Sequence, residues 1–136
     1  YLSDFFEKNK NLYYDNLTLV RSKNDLARWV KFFLTGVITT AEQSVNTLEK
    51  IIDLKANIEK KHIIGLGKRS KQGLELFHQL FTKPVINVSD VQKMTGLSTK
   101  AANNLVGVLV EQNILKETTG YQRNRIFVFD EYLKLF

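Results

Sequence analysis

The residues of this sequence best suited to touching a polyanion lie between Ser98 and Arg125. Ser98, Thr99 and Lys100 are followed by Asn103 and Asn104, and then by Arg123 and Arg125. An Asn side chain can pair with adenine through two hydrogen bonds, and Lys can reach guanine or a phosphate. Arg123 and Arg125 could clasp the sugar–phosphate backbone or enter the minor groove. This is recognition chemistry, with no bond made or broken. The set carries only three cations, and Glu111 adds a negative charge close by. The same residues could therefore dock a protein, because a fold does not by itself fix a function.

Other candidate constellations fail on spacing. Gly65-Leu66-Gly67-Lys68-Arg69 has the look of a phosphate loop, but that loop needs a glycine where His62 stands and a Ser or Thr where Arg69 stands. A hinge between subdomains is the better reading of these two glycines. His62 and His78 lack the i, i+4 spacing of a metal pair on one helix. Asp4 and Glu7 share a helix face without a partner base. The chain has no cysteine, which excludes thiolate metal sites, a cysteine nucleophile and a disulfide framework. No catalytic residue, metal or cofactor is expected in this chain.

The elements that must position the recognition residues follow from local signals. Leu74, Phe77, Leu80 and Phe81 make a helical stripe that Pro84 ends. Val85 to Val88 reads as a short extended run. Ser89 is the expected cap of a short helix, Asp90 to Thr95, closed by Gly96. Ser98 caps a longer helix reaching Gln112, with Asn113 as a left-handed cap. Its inner face should be Ala102, Leu105, Val106 and Leu109, leaving Thr99, Lys100, Asn103, Asn104 and Gly107 outside. Ile114-Leu115 should begin a strand, Thr118-Thr119-Gly120 should turn, and Arg125 to Phe129 should return. Asp130 is expected to cap a last helical turn. Helix, strand, helix, tight turn, helix and hairpin is the winged helix-turn-helix order, whose second helix enters the major groove by its N-terminal end.

The first half lacks proline and reads as helical throughout. Tyr13, Leu17 and Val20 share one helix face. Asn24 is the expected cap of a second helix bearing Leu26, Trp29, Val30, Phe33, Leu34 and Val37. A third, separate helix is expected from Val45 to Ile58, running into Lys60, Lys61 and His62. Nine Phe, five Tyr and one Trp in 136 residues suffice for a packed core. The net charge of +6 divides unevenly: residues 1–66 hold ten Lys or Arg and eight Asp or Glu, and residues 67–136 hold ten and six. No run approaches the roughly 18 apolar residues needed to cross a bilayer, and no signal peptide is visible. A cytoplasmic location fits these features, and the opening at Tyr1 suggests a piece of a longer protein.

Several residue groups, in order, resemble one family. Tyr1-Leu2-Ser3-Asp4-Phe5-Phe6, Asn9-Lys10, Tyr13-Tyr14, Leu17, Asn24-Asp25, Trp29, Phe32-Phe33-Leu34 and Gly36-Val37 are similar to the helices after the catalytic core of Fic-type (Fic/DOC) adenylyltransferases. Phe81, Pro84-Val85, Gly96-Leu97-Ser98, Ala102, Leu105, Leu109 and Ile114-Leu115 resemble the winged-helix tail of longer members. So do Thr119-Gly120, Arg123-Asn124-Arg125, Phe127 and Tyr132-Leu133. The family's catalytic motif, H-x-F-x-[DE]-G-N-G-[RK], has no match here, the usual Asn-Arg is Asn9-Lys10, and the target-covering loop is missing. The resemblance implies a parent protein that moves AMP from ATP to a hydroxyl of a target protein, with this chain as its non-catalytic C-terminal part.

The expected architecture is mostly α: a helical subdomain over residues 1–66, then a winged helix-turn-helix domain with a small β-wing over 67–136. The contacting residues would be Ser98, Thr99, Lys100, Asn103, Asn104, Arg123 and Arg125. The expected partners are the catalytic part of the same protein, a DNA or protein target, and a second copy of the chain. No membrane contact is expected. A sequence-specific DNA-binding transcriptional regulator is the competing functional reading.

Overall fold

The computed structural model describes residues 1–63, 67 and 70–136, and the fold is mostly α-helical with one small antiparallel sheet. Residues 1–49 and 50–136 form two compact units. The division comes earlier than the boundary expected near residue 66, because Leu54 and Ile58 pack with the second unit's core. Most of the expected Gly65–Arg69 hinge lies outside the described residues.

In the first unit, α1 (Leu2–Lys8) and α2 (Lys10–Lys23) are separated at Asn9. Its backbone leaves helical geometry (φ −113°, ψ 33°), and its side-chain amide donates to Phe5 O at 2.8 Å. Asn24 closes α2 in a left-handed conformation, φ 54°, and does not cap the next helix. Asp25 takes that role: its Oδ1 accepts from Arg28 N at 3.1 Å. α3 then runs unbroken from Leu26 to Ile58, with its residues from Lys50 onward in the second unit. The two helices expected here are one. The polar stretch fits inside it because Thr35 and Ser44 return their hydroxyls to Lys31 O and Thr40 O.

The first unit is held by aromatic rings. Phe5 lies 5.5 Å from Phe32, Phe6 5.4 Å from Tyr13, and Tyr13 5.4 Å from Trp29. Gly36 is buried where α1 crosses α3, and a β-carbon there would sit 2.6 Å from the Phe5 ring. Only glycine permits this approach. Asn16 is buried as well; its amide donates to Leu12 O, and its Oδ1 has no partner among the described residues.

The second unit has the fully buried core. After a π-helical turn at Glu59–Ile63 come α4 (Ser70–Leu80), β1 (Val85–Asn87), α5 (Val88–Thr95) and α6 (Thr99–Glu111). β2 (Lys116–Glu117), β3 (Ile126–Val128) and α7 (Asp130–Leu133) complete it. The sheet order is β1-β3-β2, with Ile86 opposite Phe127 and Glu117 opposite Phe127 on the other edge. Leu76, Phe77, Leu80, Leu105, Leu109, Phe127 and Phe129 are all essentially inaccessible. Each contributes about 1.5–3 kcal/mol of gross burial before conformational entropy is subtracted. Phe77, Phe81, Phe129 and Tyr132 add edge-to-face contacts at 5.1–5.9 Å.

Three local expectations are corrected. Asn87, not Ser89, caps α5: its side chain accepts from Asp90 N, while Asp90 accepts from Asn87 N. This reciprocal pair satisfies two otherwise orphaned amides. Ile114 and Leu115 are buried but lie outside β2, because both of their amides donate to Leu109 O and close α6. Asn113 makes this possible in a left-handed conformation, φ 60°. Finally, Phe129 occupies the N-cap of α7, and Asp130 is its first helical residue, paired with Lys134 at 2.6 Å.

Candidate nucleic-acid or partner interface

The turn between α5 and α6 sets the site. Gly96 adopts φ 68° and donates its N–H to Gln92 O at 2.9 Å, ending α5. Two residues later Ser98 caps α6, its Oγ accepting from Ala101 N over a long 3.4 Å. Gln92 bridges the turn by donating to Thr99 Oγ1 at 3.0 Å. The two helices are therefore fixed by a side-chain bond as well as by the core. Ala102, Leu105, Val106 and Leu109 face that core, as their spacing predicts.

The opposite face carries the residues expected to make contact. Thr99, Lys100, Asn104 and Gly107 are exposed, and Asn103 is half-buried. Asn103 is engaged from both sides: its Nδ2 donates to Thr99 O at 2.9 Å, and its Oδ1 accepts from Arg125 Nη2 at 3.0 Å. The Arg125 guanidinium also lies 5.2 Å from the Phe127 ring centroid, within cation–π range. Arg125 is thus held against the face of α6. Asn103 holds it, and its amide is not free to read a base. Lys100, Asn104 and Arg123 make no side-chain hydrogen bond or ion pair among the described residues.

The connection between β2 and β3 is built around one carboxylate. Glu117 Oε1 accepts from the Thr119 hydroxyl, from Thr119 N and from Gly120 N. Thr119 Oγ1 in turn accepts from Ile126 N. The Thr119 hydroxyl is the main reason the Glu117 carboxyl stays below its usual pKa; the two backbone amides and the Arg125 charge add to it. Gly120 and Asn124 both take positive φ at the ends of the exposed tip.

Of the residues singled out from sequence, the fold brings Ser98, Thr99, Lys100, Asn103 and Asn104 onto one helix end, with Arg125 bonded across to it. Arg123 lies in the exposed tip without a bond to that face. Gln92 and Phe127 are not among the contacting residues expected from sequence, and both organise the site. A signal for each exists, since Gln92 lies seven residues before Thr99 across a glycine turn and Phe127 alternates with Arg125. His78 Nε2 lies 2.7 Å from Glu59 Oε1, and among the described residues no cluster of three metal-ligating side chains forms. Among the described residues no helix is long and apolar enough to cross a membrane.

No protein-family model matches this chain, and no curated protein is significantly similar to it.

Proposed function

We propose that this chain is a non-catalytic accessory part of a Fic-type protein, and that its second unit is a winged helix-turn-helix module docking on duplex DNA. The observation that carries the docking reading is the Asn103–Arg125 bond. It joins the outer face of α6 to the β2–β3 hairpin as one polar surface, with Lys100 and Asn104 exposed on it. Lys100 and the arginines supply phosphate contacts, and Asn104 is the amide left free for a base edge. The Fic assignment rests on the ordered resemblance of the two halves. In that reading the parent protein transfers AMP from ATP to a target protein, and this chain contributes no reacting group. A cytoplasmic location belongs to the same reading.

A salt titration of binding to a short duplex tests it. Neutralising Z phosphates gives a slope of about −0.9Z in log K against log salt. With Lys100, Arg123 and Arg125 engaged, the slope should be about −3. The Arg123→Ala, Arg125→Ala double variant should reduce it to about −1. Absence of binding at low salt, or a slope unchanged in the double variant, overturns the docking reading.

A further inference from the structure

One face of α3 is largely exposed, its Phe33 alone stacking on a ring of α1, Phe6, at 6.2 Å. Leu26, Val30, Phe33, Leu34, Val37, Ile38, Val45 and Leu48 are all exposed large hydrophobics. Leu34, Ile38, Val45 and Leu48 are 50%, 58%, 56% and 58% accessible. Scattered exposed apolar residues are ordinary, but eight along one helix face are not. The opposite side of the same helix, through Trp29, Phe32 and Gly36, is the one that meets the aromatic cluster of α1 and α2.

Within this face, Leu34, Ile38, Ala41, Val45 and Leu48 are spaced four, three, four and three residues apart. That is a heptad seam with β-branched Ile38 and Val45 at the a positions and Leu34 and Leu48 at d. In a parallel coiled coil, β-branched a positions with Leu at d favour two strands over three or four. The same spacing continues in the sequence to Ile52, while Lys31 stands at the preceding a position and ends the seam on that side.

We infer that this face pairs with the same face of a second copy of the chain, as a short parallel two-helix coiled coil through Ile38, Ala41, Val45 and Leu48. The flanking charges favour the parallel direction. Glu42 and Glu49 occupy the e positions, and in a parallel pair they face Val37 and Ser44 of the other copy. In an antiparallel pair Glu42 would face Glu42, a like-charge contact. Ala41 at a d position lets the two backbones approach closely. Covering Leu34, Ile38, Ala41, Val45 and Leu48 in two copies removes on the order of 800–1,000 Å² from solvent, the low end of specific interfaces and the size of a weak, reversible pair.

The chain has no cysteine, so one introduced thiol reports proximity without background. Val45→Cys places a thiol at an a position, where paired Cα atoms fall within the roughly 4.4–6.8 Å a disulfide needs. Asn46→Cys lies outside the seam and serves as the control. The expected result is a dimer by sedimentation at roughly 10–100 µM, rapid oxidation of Val45→Cys to a covalent dimer, and at least about tenfold slower cross-linking of Asn46→Cys. Leu48→Glu should give a monomer with unchanged helicity by circular dichroism. A wild-type chain that stays monomeric over this range, or equal cross-linking at both positions, overturns the inference and assigns the face to a different partner. The outcome is independent of DNA binding.

Discussion

Gly36 and Gly107 are both helical glycines, yet they should respond oppositely to alanine. In an open helix position Gly→Ala stabilises by about 0.5–1 kcal/mol, because alanine loses less backbone entropy. Gly107 is such a site: an added β-carbon would meet nothing within 4 Å. Gly107→Ala should therefore gain about 0.5–1 kcal/mol. At Gly36 the same methyl would stand 2.6 and 2.7 Å from two Phe5 ring atoms and 3.2 Å from Leu2 Cδ1. Overpacking of this kind costs about 1–3 kcal/mol. Set against the propensity gain, Gly36→Ala should destabilise the first unit by about 1 kcal/mol. Phe5→Leu in the Gly36→Ala background should remove most of the clash, giving a favourable coupling of about 1 kcal/mol in a double-mutant cycle. Urea denaturation followed through Trp29 fluorescence reads this unit, since Trp29 is the chain's one tryptophan and lies 5.9 Å from Phe32. If Gly36→Ala stabilises as much as Gly107→Ala, the crossing of α1 over α3 at Phe5 is wrong.

Further expectations concern the second unit. Leu105→Ala empties a site that is 1% accessible and should cost about 2–5 kcal/mol in urea denaturation. Asn87→Ala removes the cap of α5 and should cost about 1 kcal/mol, whereas Ser89→Ala should be near neutral. Asp90 is held below the usual carboxylate range chiefly by its hydrogen bond from Lys83, at 2.6 Å. A folded pKa below the unfolded one gives stability that is present above the unfolded value. That stability is lost as pH falls through the folded value, so acid unfolding should steepen below about pH 4, and Asp90→Asn should flatten it. Asn103→Ala should leave α6 folded but release Arg125, weakening duplex binding more than Asn104→Ala weakens binding to non-specific sequence.

Much of the second unit was legible because its signals are local and mutually consistent. Pro84, Gly96, Ser98 and Asn113 each act within a turn of where they stand, and Ala102, Leu105, Val106 and Leu109 mark the inner face by spacing alone. The errors arose where two local signals compete. Asn87 and Ser89 are both good caps, and Asn87 prevails because Asp90 completes the reciprocal pair. Asn24 and Asp25 compete likewise, and the left-handed backbone of Asn24 leaves the cap to Asp25. The unbroken length of α3 was hidden by Thr39, Thr40 and Ser44, which interrupt the apolar stripe without interrupting the helix. In the site, the sequence shows which residues are polar but not which are already bonded. Asn103 and Asn104 look equivalent by type, and only the position of Arg125 separates them.

The most direct test of the docking surface is an amide-shift titration of the isotopically labelled chain with a short duplex at low salt. Docking through this surface predicts shifts concentrated at Thr99–Gly107 and Gly120–Arg125, with the Arg125 side-chain resonance among the largest. Shifts centred elsewhere, or none at low salt, would contradict it.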